Sequence, residues 1–311
     1  MNKQLLLKAQ TIIKELKNNN ERIAKQNEFL AMQNVSYKNN SNKIREIKFE
    51  IGKLLAQQKN AKELENKLNK LEIEQKAILF NDFGNNFSVL PKINCNKCND
   101  TGECENKICD CVKKEMSKIL IKISGINHPL ADFLESNFDM FNENKDKMKD
   151  LFEKMKNWCD NYRTKRIKNI TFLGNAGSGK SFLTECMAKR LIDNGNYVLF
   201  TTAFNLNNNF LKYHTTFDDS KVNFLQPFLD CDILLIDDLG TEPMLKNVTR
   251  EYLVLNERIA NNSPTIITSN LCPEKLREIY EDRVFSRIIN KNNSALIEII
   301  NDDNRLKPNK S

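Results

Sequence analysis

The stretch ITFLGNAGSGKSFLTECMAKRLIDNG, residues 170–195, constrains the fold more tightly than any other part of the 311-residue chain. A short apolar run ends in a glycine-rich turn, and a helical pattern begins at once. Gly174, Gly177 and Gly179 let the backbone turn sharply and aim its N–H groups at one point, where the positive end of the following helix adds to them. Such a turn is a cradle for phosphate. Residues Gly174, Asn175, Ala176, Gly177, Ser178, Gly179, Lys180 and Ser181 are therefore expected to bind ATP, with Lys180 reaching the β- and γ-phosphates and the Ser181 hydroxyl ligating Mg²⁺.

A strand that feeds such a turn needs a sheet around it. Four more apolar runs follow or flank helical lengths: YVLFTTA (197–203), DILLIDD (232–238), PTIITSN (264–270) and ALIEII (295–300). Continuous apolar runs of this length mark strands covered on both faces, so the expected fold is a three-layer αβα domain with a parallel five-stranded sheet. A helix with Leu151, Met155 and Trp158 on one face should precede it, over about residues 148–162.

The ends of those strands carry the candidate chemistry. DILLIDD closes on two carboxylates; Asp237 would join Ser181 in the Mg²⁺ shell and Asp238 would orient or deprotonate the attacking water. Many ATPases of this design have Glu at the second place, so Asp238 is shorter by one methylene; Glu242 is a lesser candidate for the same work. Asn270, at the end of PTIITSN, could hold the water or sense the γ-phosphate. In EDRVFSRIINK, Arg283 and Arg287 stand one helical turn apart. Arg287 is the candidate finger that completes a neighbouring subunit's site, and Arg283 its companion at the interface.

Upstream, residues 1–90 contain no proline. An apolar seam runs through Ile44, Ile47, Ile51, Leu54, Ala61, Leu64, Leu68, Leu71 and Ile78, spaced three and four apart with one slip. So narrow a stripe predicts a coiled-coil-like helix or helical hairpin that packs on a partner helix. Breaks are expected at SYKNNSNK (36–43) and Gly52, and an end near NDFGNN (81–86). The net charge of +7 resides wholly in residues 1–80, as a basic helical face.

Five of the nine cysteines crowd into CNKCNDTGECENKICDC, residues 95–111. No apolar stretch suits a membrane span and the start of the chain is charged, so a cytoplasmic chain with no membrane role is expected. In that reducing compartment the cluster reads as a metal site rather than a disulfide framework. Cys95 with Cys98 and Cys109 with Cys111 can close a tetrahedron around Zn²⁺, leaving Cys104 between them; Cys104 in place of Cys109 or Cys111 is the alternative. The domain order expected is a helical arm over 1–90, a zinc module over 91–130 and an ATPase domain over 131–311.

Taken in order, CNKC…CDC, GNAGSGKS, ILLIDDLGTEP, TIITSN and EDRVFSRI resemble the bacterial replicative helicase loaders of the DnaC/DnaI type, a clade of AAA+ ATPases that also includes the IstB transposition helpers. The resemblance implies an AAA+ P-loop core that self-oligomerises through shared ATP sites. It also implies an N-terminal module that grips the replicative DNA helicase hexamer, affinity for single-stranded DNA, and a zinc site of Cys95, Cys98, Cys109 and Cys111 with Cys104 spare. In such loaders the insert between the second and third strands, here about residues 204–230, helps contact DNA; Lys212 and Lys221 are its basic candidates, and RTKRIK (163–168) is another basic run. Only about eleven residues follow Ile300, too few for the helical lid of many AAA+ proteins, so Arg305 receives no sensor role. The expected function is ATP-dependent loading of the replicative helicase onto single-stranded DNA. An IstB-like transposition helper and a P-loop small-molecule kinase are the alternatives.

Overall fold

The computed structural model describes residues 3–123, 126, 128–135, 144–241, 252–280, 285–286, 288–289 and 293–300. Two compact units make up the chain: residues 12–101, and residues 1–11 together with 102–311. Among the described residues no helix is long and apolar enough to cross a membrane.

Three helices dominate the first unit. Helix α1 (Lys3–Ala31) enters it at Ile12; α2 (Val35–Ala56) and α3 (Lys62–Phe83) follow. The expected seam joins α2 to α3: Ile44 and Ile47 are buried, and Leu64, Leu68, Leu71 and Ile78 are half-buried along α3. The breaks, however, fall at residues 32–34 and 57–61 rather than at 36–43 and Gly52. Asn34 explains the first: its side chain caps α2 by accepting from Tyr37 N at 3.0 Å, and its amide reaches Asp82 at 2.7 Å. Tyr37 and Asn40 then turn inward and are buried, so the polar stretch continues as helix. Gly52 sits mid-helix, where an added Cβ would meet nothing within 4 Å. Helix α3 stops where expected, at Gly84, whose φ of 86° only glycine adopts without strain.

The second unit begins with a small hairpin, β1 (Glu103–Cys104) and β2 (Lys107–Ile108). It turns through Glu105 and Asn106, both at positive φ, as a two-residue hairpin turn requires. Helix α4 (Asp110–Ile123) comes next, then a 3₁₀ turn at Phe133–Glu135 and α5 (Lys145–Asn161). The sheet and its helices are β3 (Asn169–Leu173), α6 (Lys180–Asp193), β4 (Val198–Thr202), α7 (Ala203–Thr215) and α8 (Val222–Asp230). After these come β5 (Ile233–Asp237), α9 (Tyr252–Ala260), β6 (Thr265–Ser269), α10 (Pro273–Ile279) and β7 (Ser294–Glu298).

All five expected strands are present, parallel, in the order β4-β5-β6-β3-β7. With its flanking helices this is the expected three-layer αβα arrangement, and β3 is fully buried. Helix α5 packs Met148, Phe152, Met155, Trp158 and Cys159 against that core, and the expected Leu151 joins them as a half-buried contact. Asp160 on α5 takes Arg190 of α6 in a two-pronged pair at 2.8 and 2.9 Å.

Sequence reading placed α4 in a separate zinc module ending at 130. In the structure α4 lies along the edge strand β4. Ser117 Oγ accepts from Val198 N at 2.8 Å, Val112 and Met116 are fully buried, and Lys113 reaches Asp232 at 3.6 Å. Gly195, at φ 81°, lies so close to Asp110 that an added Cβ would meet its side chain at 2.6 Å. Covering β4 in this way protects an edge that would otherwise offer unpaired backbone groups.

Arg258 of α9 is buried to 1% exposure. It donates to the carbonyls of Phe228 and Cys231 at 2.9 Å and of Pro264 at 2.8 Å. The carbonyl end of α8 thus receives a positive charge where the helix dipole favours one.

Candidate nucleotide site and cysteine cluster

The glycine-rich loop leaves β3 and enters α6 as expected, with Gly174, Gly177 and Gly179 all at positive φ. Gly174 has a second constraint: a Cβ there would sit 2.2 Å from the carbonyl oxygen of Ile299, because Ile299 N donates to Leu173 O at 2.7 Å and draws the end of β7 onto the loop. Lys180, at the first turn of α6, is buried and folds back into the loop. Its Nζ donates to Gly174 O at 2.7 Å, Asn175 O at 2.8 Å and Ser178 Oγ at 3.3 Å.

Strand register brings the remaining groups to the same edge. Ile236 of β5 stands opposite Ile267 of β6, so Asp237 meets Thr268. Ser181 Oγ donates to Asp237 Oδ1 at 3.2 Å and Thr268 Oγ1 donates to the same oxygen at 2.5 Å. Burial pushes the Asp237 carboxyl above the usual carboxylate range. Hydrogen bonds from Thr268 and Ser181 pull the other way, while the charges of Asp238 and Glu185 reinforce the rise.

Asp238 is held in a left-handed conformation, φ 57°. Its N–H donates to Thr268 Oγ1 at 2.9 Å, and its Oδ1 accepts from Asn270 Nδ2 at 3.1 Å. One hydroxyl, that of Thr268, therefore joins both acidic residues. Its mark in the sequence is a threonine two places before Asn270. Lys180, Ser181, Asp237, Asp238 and Asn270 are thus brought together. Arg283, Arg287, Glu242 and Arg305 lie outside the described residues.

An oxygen pair from Ser181 and a desolvated Asp237 suits a hard divalent cation, which takes oxygen ligands and supplies the positive charge that a buried carboxylate needs. The loop N–H groups and the start of α6 suit phosphate. Glu185, one turn into α6, accepts from Ala131 N at 3.2 Å and meets His128 Nε2 at 3.2 Å, fixing the chain that enters the domain.

The thiols of Cys95, Cys98, Cys109 and Cys111 all lie within 4.8 Å of one another. Tetrahedral zinc with Zn–S bonds of about 2.3 Å would set its sulfurs about 3.8 Å apart, so these four fit the ion. Asp100 shapes the first pair, accepting from Asn94 N at 2.9 Å and Cys95 N at 2.7 Å; Cys109 N donates to Gly102 O at 2.9 Å. Cys104 is in β1 and is not among the four. None of the cysteines forms a disulfide among the described residues.

Residues 130–311 match the model of the IstB-like ATP binding protein family. The uncharacterized protein YdaV of Escherichia coli K12 is 27% identical over 126 residues, covering 39% of this chain and 48% of its own length. The replicative helicase loader DnaC of Buchnera aphidicola subsp. Acyrthosiphon pisum is 24% identical over 159 residues, 50% of this chain and 64% of that protein. Among solved structures, AMPPCP-bound DnaA from Aquifex aeolicus aligns with a TM-score of 0.46 at 19% identity, covering 55% of this chain and 50% of that one. The chain thus spans 48% and 64% of the length of these two curated relatives. With the family model covering more than half of its length, including every residue of the phosphate loop and both strand-end acids, the chain belongs to the IstB-like ATP-binding proteins.

Proposed function

We propose that the chain is an ATP-hydrolysing loader that places the replicative DNA helicase on single-stranded DNA and acts as an oligomer. The observation that carries the ATPase part is the Ser181–Asp237–Thr268–Asp238–Asn270 network beside the loop. Likeness to a relative named as a replicative helicase loader over half of the chain supports the loading part.

In this reading ATP enters with its phosphates against the loop N–H groups. Lys180 exchanges the carbonyls of Gly174 and Asn175 for phosphate oxygens. Mg²⁺ on Ser181 and Asp237 would supply charge neutralisation at the β- and γ-phosphates. Asp238 takes the proton of the attacking water or orients it, and Asn270 steers the Asp238 carboxylate. Arg287 completes a neighbour's site, so hydrolysis depends on assembly. Cys95, Cys98, Cys109 and Cys111 would hold zinc with all four positions taken by sulfur, so the ion would staple the helicase-facing module rather than supply catalysis.

Steady-state hydrolysis tests the enzymatic part: release of phosphate without any acceptor, stimulated by single-stranded DNA, reduced about a hundredfold or more in Lys180→Ala and in Asp238→Ala. Loss in Arg287→Ala should be rescued by mixing with Lys180→Ala protein, which keeps its finger. Transfer of phosphate to a small acceptor would favour the kinase reading instead, and absence of turnover would leave a nucleotide-binding adaptor.

A further inference from the structure

The insert between β4 and β5 carries a feature that DNA contact does not explain. Phe217, in the turn between α7 and α8, is 96% exposed, the most exposed large apolar side chain among the described residues. Asp218 and Asp219 follow it directly, both exposed. The turn is built rather than slack: Asp218 Oδ1 accepts from Ser220 N at 2.8 Å and also from its hydroxyl. Lys221, the nearest cation in sequence, is drawn over the Tyr213 ring at 5.9 Å, and Lys212 lines a different cleft. An aromatic ring flanked by two carboxylates repels a phosphate backbone. It suits a cavity with an apolar floor and a basic rim.

Such a cavity exists at the opposite edge of the sheet. Beside β7 a groove of about 670 Å³ has Trp158, Ile167 and Ile297 in its floor and Lys165 and Arg166 at its rim, against one acid, Glu153. Strand order sets β4, which leads into the insert, at one edge and β7 at the other. Knob and groove on one domain therefore cannot meet each other without another copy.

We propose that Phe217, with Asp218 and Asp219, docks into the Trp158 groove of a second copy of this chain. The contact is head-to-tail, since knob and groove are different surfaces, and repeats to give a ring or an open filament according to the rotation per step. Apolar contact anchors the ring, and the carboxylates opposite Lys165 and Arg166 set register and orientation. This contact uses no residue of the nucleotide site, so it stands or falls apart from the proposed ATPase.

Sedimentation velocity of the full-length protein without nucleotide tests it, with emission of Trp158, the chain's one tryptophan, as a second readout of groove occupancy. Wild-type protein is expected to self-associate at micromolar concentration with a concentration-dependent Trp158 signal. Phe217→Ala and Lys165→Glu should each weaken association by about tenfold or more, and Asp219→Lys combined with Lys165→Glu should recover it to within about threefold of wild type. All these positions are exposed, so folding is preserved. Monomeric wild-type protein, or association indifferent to Phe217→Ala and Lys165→Glu, would overturn the proposal. So would loss of affinity for an oligo-dT strand in Phe217→Ala with assembly unchanged, since that assigns the ring to base stacking.

Discussion

Asp237 carries a cost that its neighbours only partly offset. Burial raises its carboxyl above the ordinary range, so the folded state favours the neutral acid. Stability linked to this group is fully present below its unfolded value of about 3.9 and is lost as pH rises through the higher folded value. Without nucleotide or Mg²⁺, Asp237→Asn should therefore melt above wild type at neutral pH, with the gap closing as pH falls to about 4. Adding Mg²⁺ and ATP should reverse the order, because only wild type gains the ligand's stabilisation. Equal melting curves at pH 7 and pH 4 would contradict this.

Thr268 is the other residue-scale test. Thr268→Val keeps shape but removes the hydroxyl shared by Asp237 and Asp238. Turnover should fall about tenfold or more with ATP affinity changed less than about threefold, and Thr268→Ser should restore it. An equal loss in both variants would make the role one of packing. That Ser181 and Asp237 would meet was legible in the sequence, from a glycine-rich loop and a strand that ends on an acid. The pair of hydrogen bonds at the Thr268 hydroxyl was not, since it exists only through the β5–β6 register.

Elements were readable where they bury continuous apolar runs: β4, β5 and β6 fall within their expected segments, and β3 and β7 each begin one residue earlier, at Asn169 and Ser294. Helix boundaries in the arm were less so. There the decision rests on the Asn34 cap and on inward-facing Tyr37 and Asn40, and polar residues facing inward leave no periodic signal. The docking of α4 on β4 was invisible for a different reason: Ser117 and Val198 are 81 positions apart. The same holds for Arg258, whose carbonyl partner Phe228 is 30 positions away.

The cysteine cluster belongs to this scale. Native mass spectrometry should find one zinc per chain in wild type and in Cys104→Ser, but none in Cys109→Ser. Because α4 begins directly after Cys109, loss of zinc should also lower the melting temperature. Zinc lost on Cys104→Ser and retained on Cys109→Ser would exchange the two residues' roles.

At the scale of the whole molecule, an IstB-like ATP-binding core is joined to a helical, basic and cysteine-bearing N-terminal part. The fold of the core followed from one motif and five apolar runs. Partner choice could not follow in the same way, because exposed apolar side chains such as Phe49 and Phe80 on the arm say that something can dock without saying what. The direct measurement is recovery of the cell's replicative helicase on the tagged full-length protein, with ATP and with ADP. The account predicts stoichiometric helicase recovery, with retention differing several-fold between the two nucleotides and lost on removal of residues 1–90. No helicase in either state, or a transposase recovered in its place, would contradict it.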